Sequence, residues 1–191
     1  MKRTTPQYSE QDFLKPPHRT AVRVEDYPLP NQAVAAPPER HRMKRIALHD
    51  LPQHVGLDLG ISPWVEIDQA RINAFAEVTG DPQWIHVDPQ RAAQGPFGST
   101  VAHGFLTLSL LPWFLERSFE VEGSRMGVNY GLNRVRFPSP VPVGSRLRAH
   151  SKLMSCDAVD GGFQLVIEAT IEREGVAKPV CVAELVARRY A

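Results

Sequence analysis

The chain of 191 residues holds only two cysteines, Cys156 and Cys181. Neither belongs to a CxxC pair or a His/Cys cluster, which removes a disulfide framework and a thiolate metal site. Reduced core thiols in a cytoplasmic protein are the simpler reading. The chain also lacks a charge excess. A formal net charge of +1 at pH 7 leaves no broad basic footprint for nucleic acid or for a membrane surface. It lacks an apolar run of membrane-spanning length. The longest, Phe105 to Leu115, is interrupted by Thr107, Ser109 and Pro112. No apolar core follows the basic N-terminus, so that end does not read as a secretory signal. A Gly-rich phosphate loop, a Ser/His/Asp signature, regular metal-ligand spacing and internal repeats are absent as well.

What is present divides in two. Residues 1–44 are rich in proline (Pro6, Pro16, Pro17, Pro28, Pro30, Pro37, Pro38) and in charge, without hydrophobic periodicity. They read as a disordered or extended tail. A docking segment is the functional alternative, and Met43, at the start of the patterned region, offers an alternative translation start. Residues 45–191 read as one globular domain, long enough to bury a core.

Within that domain, residues 48–60 read as a short helical or irregular segment and residues 64–67 as a short strand. Asp68 caps a helix, with Ile67 and Ile72 at the staple positions and Gly80 at its end. A loop carries Asp81 to His86, and Asp88-Pro89 opens another short helix. His103 to about Arg117 reads as one helix, apolar on nearly every face and therefore buried, with Pro112 bending it. The rest alternates as strand: Val128, Tyr130, Leu132; then Leu147, Ala149, Ser151; then Phe163, Leu165, Ile167, Ala169, Ile171; and last residues 180–186. Helices first and long antiparallel strands after make an α+β fold, a sheet covered on one face by the apolar helix.

The chemistry-bearing residues gather in two places. Asp81 and His86 put a carboxylate and an imidazole on one turn. A carboxylate orients a water or an imidazole, and a neutral imidazole moves protons near neutral pH. Gly104 opens the apolar helix, where an amide without an internal partner can meet a developing oxyanion. Taken singly, these are a turn aspartate, a core histidine and ordinary helix-start chemistry. Together they can hold a water and polarise a carbonyl. Gln83, Trp84 and His103 are the remaining candidates for contact with substrate. Gln83 could brace the loop by hydrogen bonding, Trp84 could wall a pocket, and His103 reads as structural by default. Ser99 and Thr100 read as caps of the helix that follows. Arg134, Arg136, Arg146 and Arg148 read as solvated strand faces, with attraction for coenzyme A phosphates as the sharper alternative.

Two stretches carry a resemblance. Phe75-Ala76-x-x-Thr79-Gly80-Asp81-x-Gln83-x-Ile85-His86-x-Asp88, then Phe97-Gly98-x-x-Val101-Ala102-His103-Gly104, resemble the MaoC-like hydratase family, and within it the branch related to nodulation protein N. Residues 128–138 and 142–145 fit the same branch. The resemblance implies a hot-dog fold, a sheet wrapped around a central helix, in a dimer whose sheets join edge to edge. It implies hydration of trans-2-enoyl-CoA to (R)-3-hydroxyacyl-CoA, or the reverse dehydration. The catalytic aspartate falls on Asp81, the histidine on His86 and the oxyanion glycine on Gly104. Gln83 stands where the family most often has asparagine, and Pro112 where some members carry a serine. No metal or redox cofactor is implied, and coenzyme A arrives as part of the substrate. The alternatives are an acyl-CoA thioesterase on the same fold and a non-catalytic acyl-binding partner subunit of a heteromeric dehydratase.

Overall fold

Strict alternation builds the sheet. In β7 (Gly162–Arg173), Leu165, Ile167, Ala169 and Ile171 are fully buried, and the residues between them are not. Leu147, Ala149, Ser151 and Leu153 alternate the same way in β6 (Ser145–Val159), and β8 (Cys181–Tyr190) does so through Cys181, Ala183 and Leu185 before Val186 and Ala187 are buried together. With a side-chain period of two, this sets one sheet face inward. Register then places Ile167 between Leu153 and Leu185, and Ile171 between Ala149 and Cys181. The computed structural model describes residues 43–191. The expected tail, apart from its last two residues, lies outside the described residues.

In chain order the elements are β1 (Lys44–Ala47), a 3₁₀ turn (Leu48–His54), β2 (Asp58–Ile61), β3 (Val65–Ile67), α1 (Gln69–Thr79), α2 (Trp84–Val87) and α3 (Pro89–Ala93). There follow α4 (Gly104–Ser109), α5 (Leu111–Ser118), β4 (Phe119–Glu122), β5 (Met126–Arg136) and then β6, β7 and β8. The large sheet is antiparallel, in the order β2-β6-β7-β8-β5, with β3 also paired to β6. A second, two-stranded sheet joins β1 and β4 in parallel.

The helices lie on the inner face. Phe114 of α5 is fully buried in a cluster with Ala149, Ala169, Ile171 and Ala183. Those alanines leave room for the helix to approach, and each large side chain so buried contributes about 1.5–3 kcal/mol. Leu115 and Phe119 belong to a second cluster with Leu59, Leu153, Leu165 and Ile167.

Two local expectations are corrected and two are refined. The helix expected from His103 to Arg117 is two helices, broken at Leu110. Pro112 has no N–H, and inside a helix its ring would meet the carbonyl of Leu108. In the first turn of a new helix neither matters, and there it sits. Nor is that stretch buried throughout, since Phe105 is 68% exposed. Residues 48–60 hold a 3₁₀ turn followed by a strand. The alternating residues Val128, Tyr130 and Leu132 lie on the edge strand, where Tyr130 and Leu132 stay exposed. Cys156 and Cys181 are both free thiols, and burial pushes Cys181 up to about 11. Among the described residues no helix is long and apolar enough to cross a membrane.

Candidate active site

The end of α1 fixes Asp81. The Asp68 side chain accepts from the Arg71 N–H at 2.8 Å and starts the helix, with Ile67 and Ile72 fully buried on either side of the cap. At the other end Gly80 turns left-handed, at φ 68°. The Gly80 N–H donates to Glu77 O and the Asp81 N–H to Ala76 O at 3.0 Å. This is a Schellman closure, and it needs a residue without a Cβ penalty at Gly80. Asp81 is therefore the first residue released from the helix, its carboxylate 59% exposed.

His86 lies on α2, a single helical turn where a loop was expected. The Gln83 carbonyl starts that turn by accepting the His86 N–H at 2.9 Å. The imidazole is buried, and its Nδ1–H donates to the Val101 carbonyl at 2.6 Å. A carbonyl can only accept, so the proton sits on Nδ1 and Nε2 keeps a bare lone pair. Gln69 holds the backbone of the same residue, its Nε2 donating to His86 O at 2.7 Å. Its Oε1 in turn accepts the buried Thr100 hydroxyl at 2.5 Å. Sequence reasoning missed Gln69, and Thr100 is not the helix cap it was expected to be. The Ser99 hydroxyl likewise turns to the Thr100 carbonyl rather than to a helix end.

His103 packs behind His86. The two rings stack at 3.6 Å and 25°, and Phe75 covers His103 at 5.1 Å. The His103 Nε2–H donates to the Asp81 carbonyl at 3.0 Å and lies 3.9 Å from the Asp81 carboxylate. Its Nδ1 is buried without a partner among the described residues. Asp81, His86 and His103 each place a carboxylate oxygen or ring nitrogen within 4.8 Å of the others. Such a trio has the donor types of a metal site, but two of its nitrogens are already engaged: His86 Nδ1 with the Val101 carbonyl and His103 Nε2 with the Asp81 carbonyl. The His103 nitrogen that meets the Asp81 carbonyl carries a proton. What remains is the bare Nε2 of His86 and the Asp81 carboxylate, two acceptors for the hydrogens of a water. Burial is the largest influence on His86 and pulls its pKa below the ordinary 6.5. The Val101 hydrogen bond pushes upward, the neighbouring His103 downward, and the Asp81 charge upward.

A cleft of about 340 Å3 opens beside this pair. His86, Gly104 and Thr107 line it, together with apolar side chains that include Phe97, Val101 and Phe137. The Gly104 N–H begins α4 and has no partner among the described residues. A Cβ at Gly104 would stand 3.0–3.1 Å from the Phe137 ring, so glycine keeps the amide approachable. Asp81 and His103 are not part of the cleft lining, and neither are Gln83 and Trp84. The Gln83 side chain makes no hydrogen bond among the described residues. Trp84 packs under Arg91, 4.5 Å from the guanidinium carbon, and against Gly95. Thr107 lines the cleft, and its only trace in the sequence was the interruption of an apolar run.

A family model described as MaoC like domain matches residues 50–175. The 3-hydroxyacyl-thioester dehydratase Z of Mycobacterium tuberculosis is 54% identical over 143 residues, covering 74% of this chain and 95% of the relative. Nodulation protein N of Rhizobium leguminosarum bv. viciae is 46% identical over 145 residues, covering 74% and 89%. Among solved structures, the (R)-hydratase from A. caviae involved in PHA biosynthesis superposes with a TM-score of 0.58. It is 23% identical, over 70% of this chain and 94% of its own. A MaoC-like dehydratase from Rhodospirillum rubrum gives 0.59 at 19% identity, over 71% and 92%. These likenesses show the fold, the α+β hot-dog arrangement implied by the sequence resemblance.

Proposed function

We propose that this chain, which belongs to the MaoC-like domain family and is a hydratase or dehydratase of that type, adds water to trans-2-enoyl-CoA to give (R)-3-hydroxyacyl-CoA and runs the reverse dehydration. One observation carries the reading. A buried imidazole, held by Val101 with its Nε2 bare, stands within 4.8 Å of a carboxylate and lines the apolar cleft that Gly104 also lines. The relative named as a 3-hydroxyacyl-thioester dehydratase supports the substrate class.

In this mechanism Asp81 and His86 grip one water. Asp81 orients it and helps deprotonate it, and His86 shares the proton. The hydroxyl bonds to C3 as the C2–C3 double bond opens. The water's proton is delivered to C2 on the same face. Charge gathers on the thioester oxygen and is met by the Gly104 N–H, and its collapse restores the carbonyl. Gln69 and Val101 hold His86 in place. The substrate brings coenzyme A, and no step calls on a further cofactor. We take the working form to be a homodimer joined at the exposed edge strand β5, in the reducing compartment that two free thiols suit.

The test is to give the purified full chain a short trans-2-enoyl-CoA and follow loss of the conjugated thioester absorbance, with chiral analysis of the product. Asp81→Asn should keep the fold and lose about a hundredfold or more in rate. Wild-type turnover in that variant, or release of free thiol from acyl-CoA in place of hydration, sinks the assignment.

A further inference from the structure

Thr107 is 2% exposed and lines the cleft, yet its hydroxyl has no hydrogen-bond partner among the described residues. The other buried or helical hydroxyls behave differently. Thr79 donates to Phe75 O at 2.6 Å, Ser109 to Phe105 O at 2.7 Å and Ser118 to Phe114 O at 2.8 Å, each one turn back. For Thr107 the carbonyl one turn back belongs to His103, and it takes the Thr107 backbone N–H at 3.2 Å. The Thr107 hydroxyl therefore adds no hydrogen bond to the fold, and valine, close to it in shape, would remove none.

The position of this hydroxyl gives it a partner in the substrate. Helical side chains lean toward the helix N-terminus, and residues three apart share a face. Thr107 therefore covers the turn that begins at Gly104, which also lines the cleft and whose N–H has no partner among the described residues. We propose that the Thr107 hydroxyl and the Gly104 N–H together form a two-donor site for the carbonyl oxygen of an acyl thioester. This rests on the hydratase reading for its substrate. Both donors gain strength as charge moves onto that oxygen, so the hydroxyl acts mainly in the transition state.

Thr107→Val removes the donor at nearly constant shape. Its kcat in the enoyl-CoA assay should fall about 10²-fold, with KM little changed and Thr107→Ser restoring most of the rate. Its melting temperature should stay near that of the wild type, because no hydrogen bond within the protein is lost. A second readout needs no turnover. The carbonyl stretch of butyryl-CoA labelled with 13C at the carbonyl, bound to the full chain, should move to lower frequency in the wild type and recover in Thr107→Val. Wild-type kcat in Thr107→Val with an unchanged carbonyl band overturns the two-donor site and leaves the hydratase reading standing. A shifted band in a wild-type protein that hydrates no enoyl thioester keeps the donor pair and sinks that reading. No shift in the wild type, or no thioester bound, overturns the proposal.

Discussion

His86 can act as a base only while its Nε2 stays bare. Burial holds its pKa below the ordinary 6.5, so the imidazole is neutral at pH 7 and the rate falls only as pH drops into the acid range. Replacing Val101 cannot test this, because the contact is a backbone carbonyl; the acid limb of kcat/KM can. That limb should lie below 6.5, and a limb above 6.5 would contradict the environment described. The same group affects stability. The unfolded chain binds the proton more readily than the folded one, so the His86 contribution is complete above 6.5 and is lost as pH falls through the lowered folded value. At this scale Asp81 and His86 were legible because a carboxylate and an imidazole stood close in sequence. Gln69 was not. It reaches His86 across 17 residues and Thr100 across 31, and nothing local marks a first-turn glutamine as a brace. Trp84 looked like a pocket wall because it sits beside His86 in sequence, but one helical turn sends its ring to Arg91 and Gly95.

Pro112 shows what an element-scale reading can and cannot reach. An apolar run with a proline in it suits either a kinked helix or two helices, and the two make opposite predictions. Inside a helix, Pro112→Ala would stabilise by about 3 kcal/mol. At the first turn of α5, the ring costs nothing and restricts the unfolded chain. The substitution should therefore destabilise by about 0.4–1 kcal/mol, measured by urea unfolding. Strands β6, β7 and β8 were legible because their alternation is long and one-sided. The ends of α1 were legible because Asp68, the Ile67/Ile72 staple and Gly80 are local signals. The pairing of β1 with β4 was not, since it brings Lys44 beside Phe119 in parallel and four residues carry no period of their own. Arg45 bridges to Glu120 at 3.2 Å and Glu122 at 3.6 Å there, but such exposed pairs add little.

For the whole molecule, β5 is the strand whose composition and surroundings disagree. It alternates like a half-buried strand, yet Met126, Tyr130 and Leu132 are all more than 40% exposed at the sheet edge. An open edge with apolar side chains is a liability unless another chain covers it, and a second copy would do so. Leu132→Arg should shift the molecule from dimer to monomer in sedimentation while strand content by circular dichroism is kept. A dimer unmoved by the charge would place the interface elsewhere. The break at Leu110 also has a consequence for how such a chain can change over generations. Gly104 and Thr107 sit on one side of it, while Phe114 and Leu115 anchor the other side in both halves of the core. The joint separates tool from handle. A lineage can vary Gly104 and Thr107 on the cleft side while Phe114 and Leu115 keep the sheet covered.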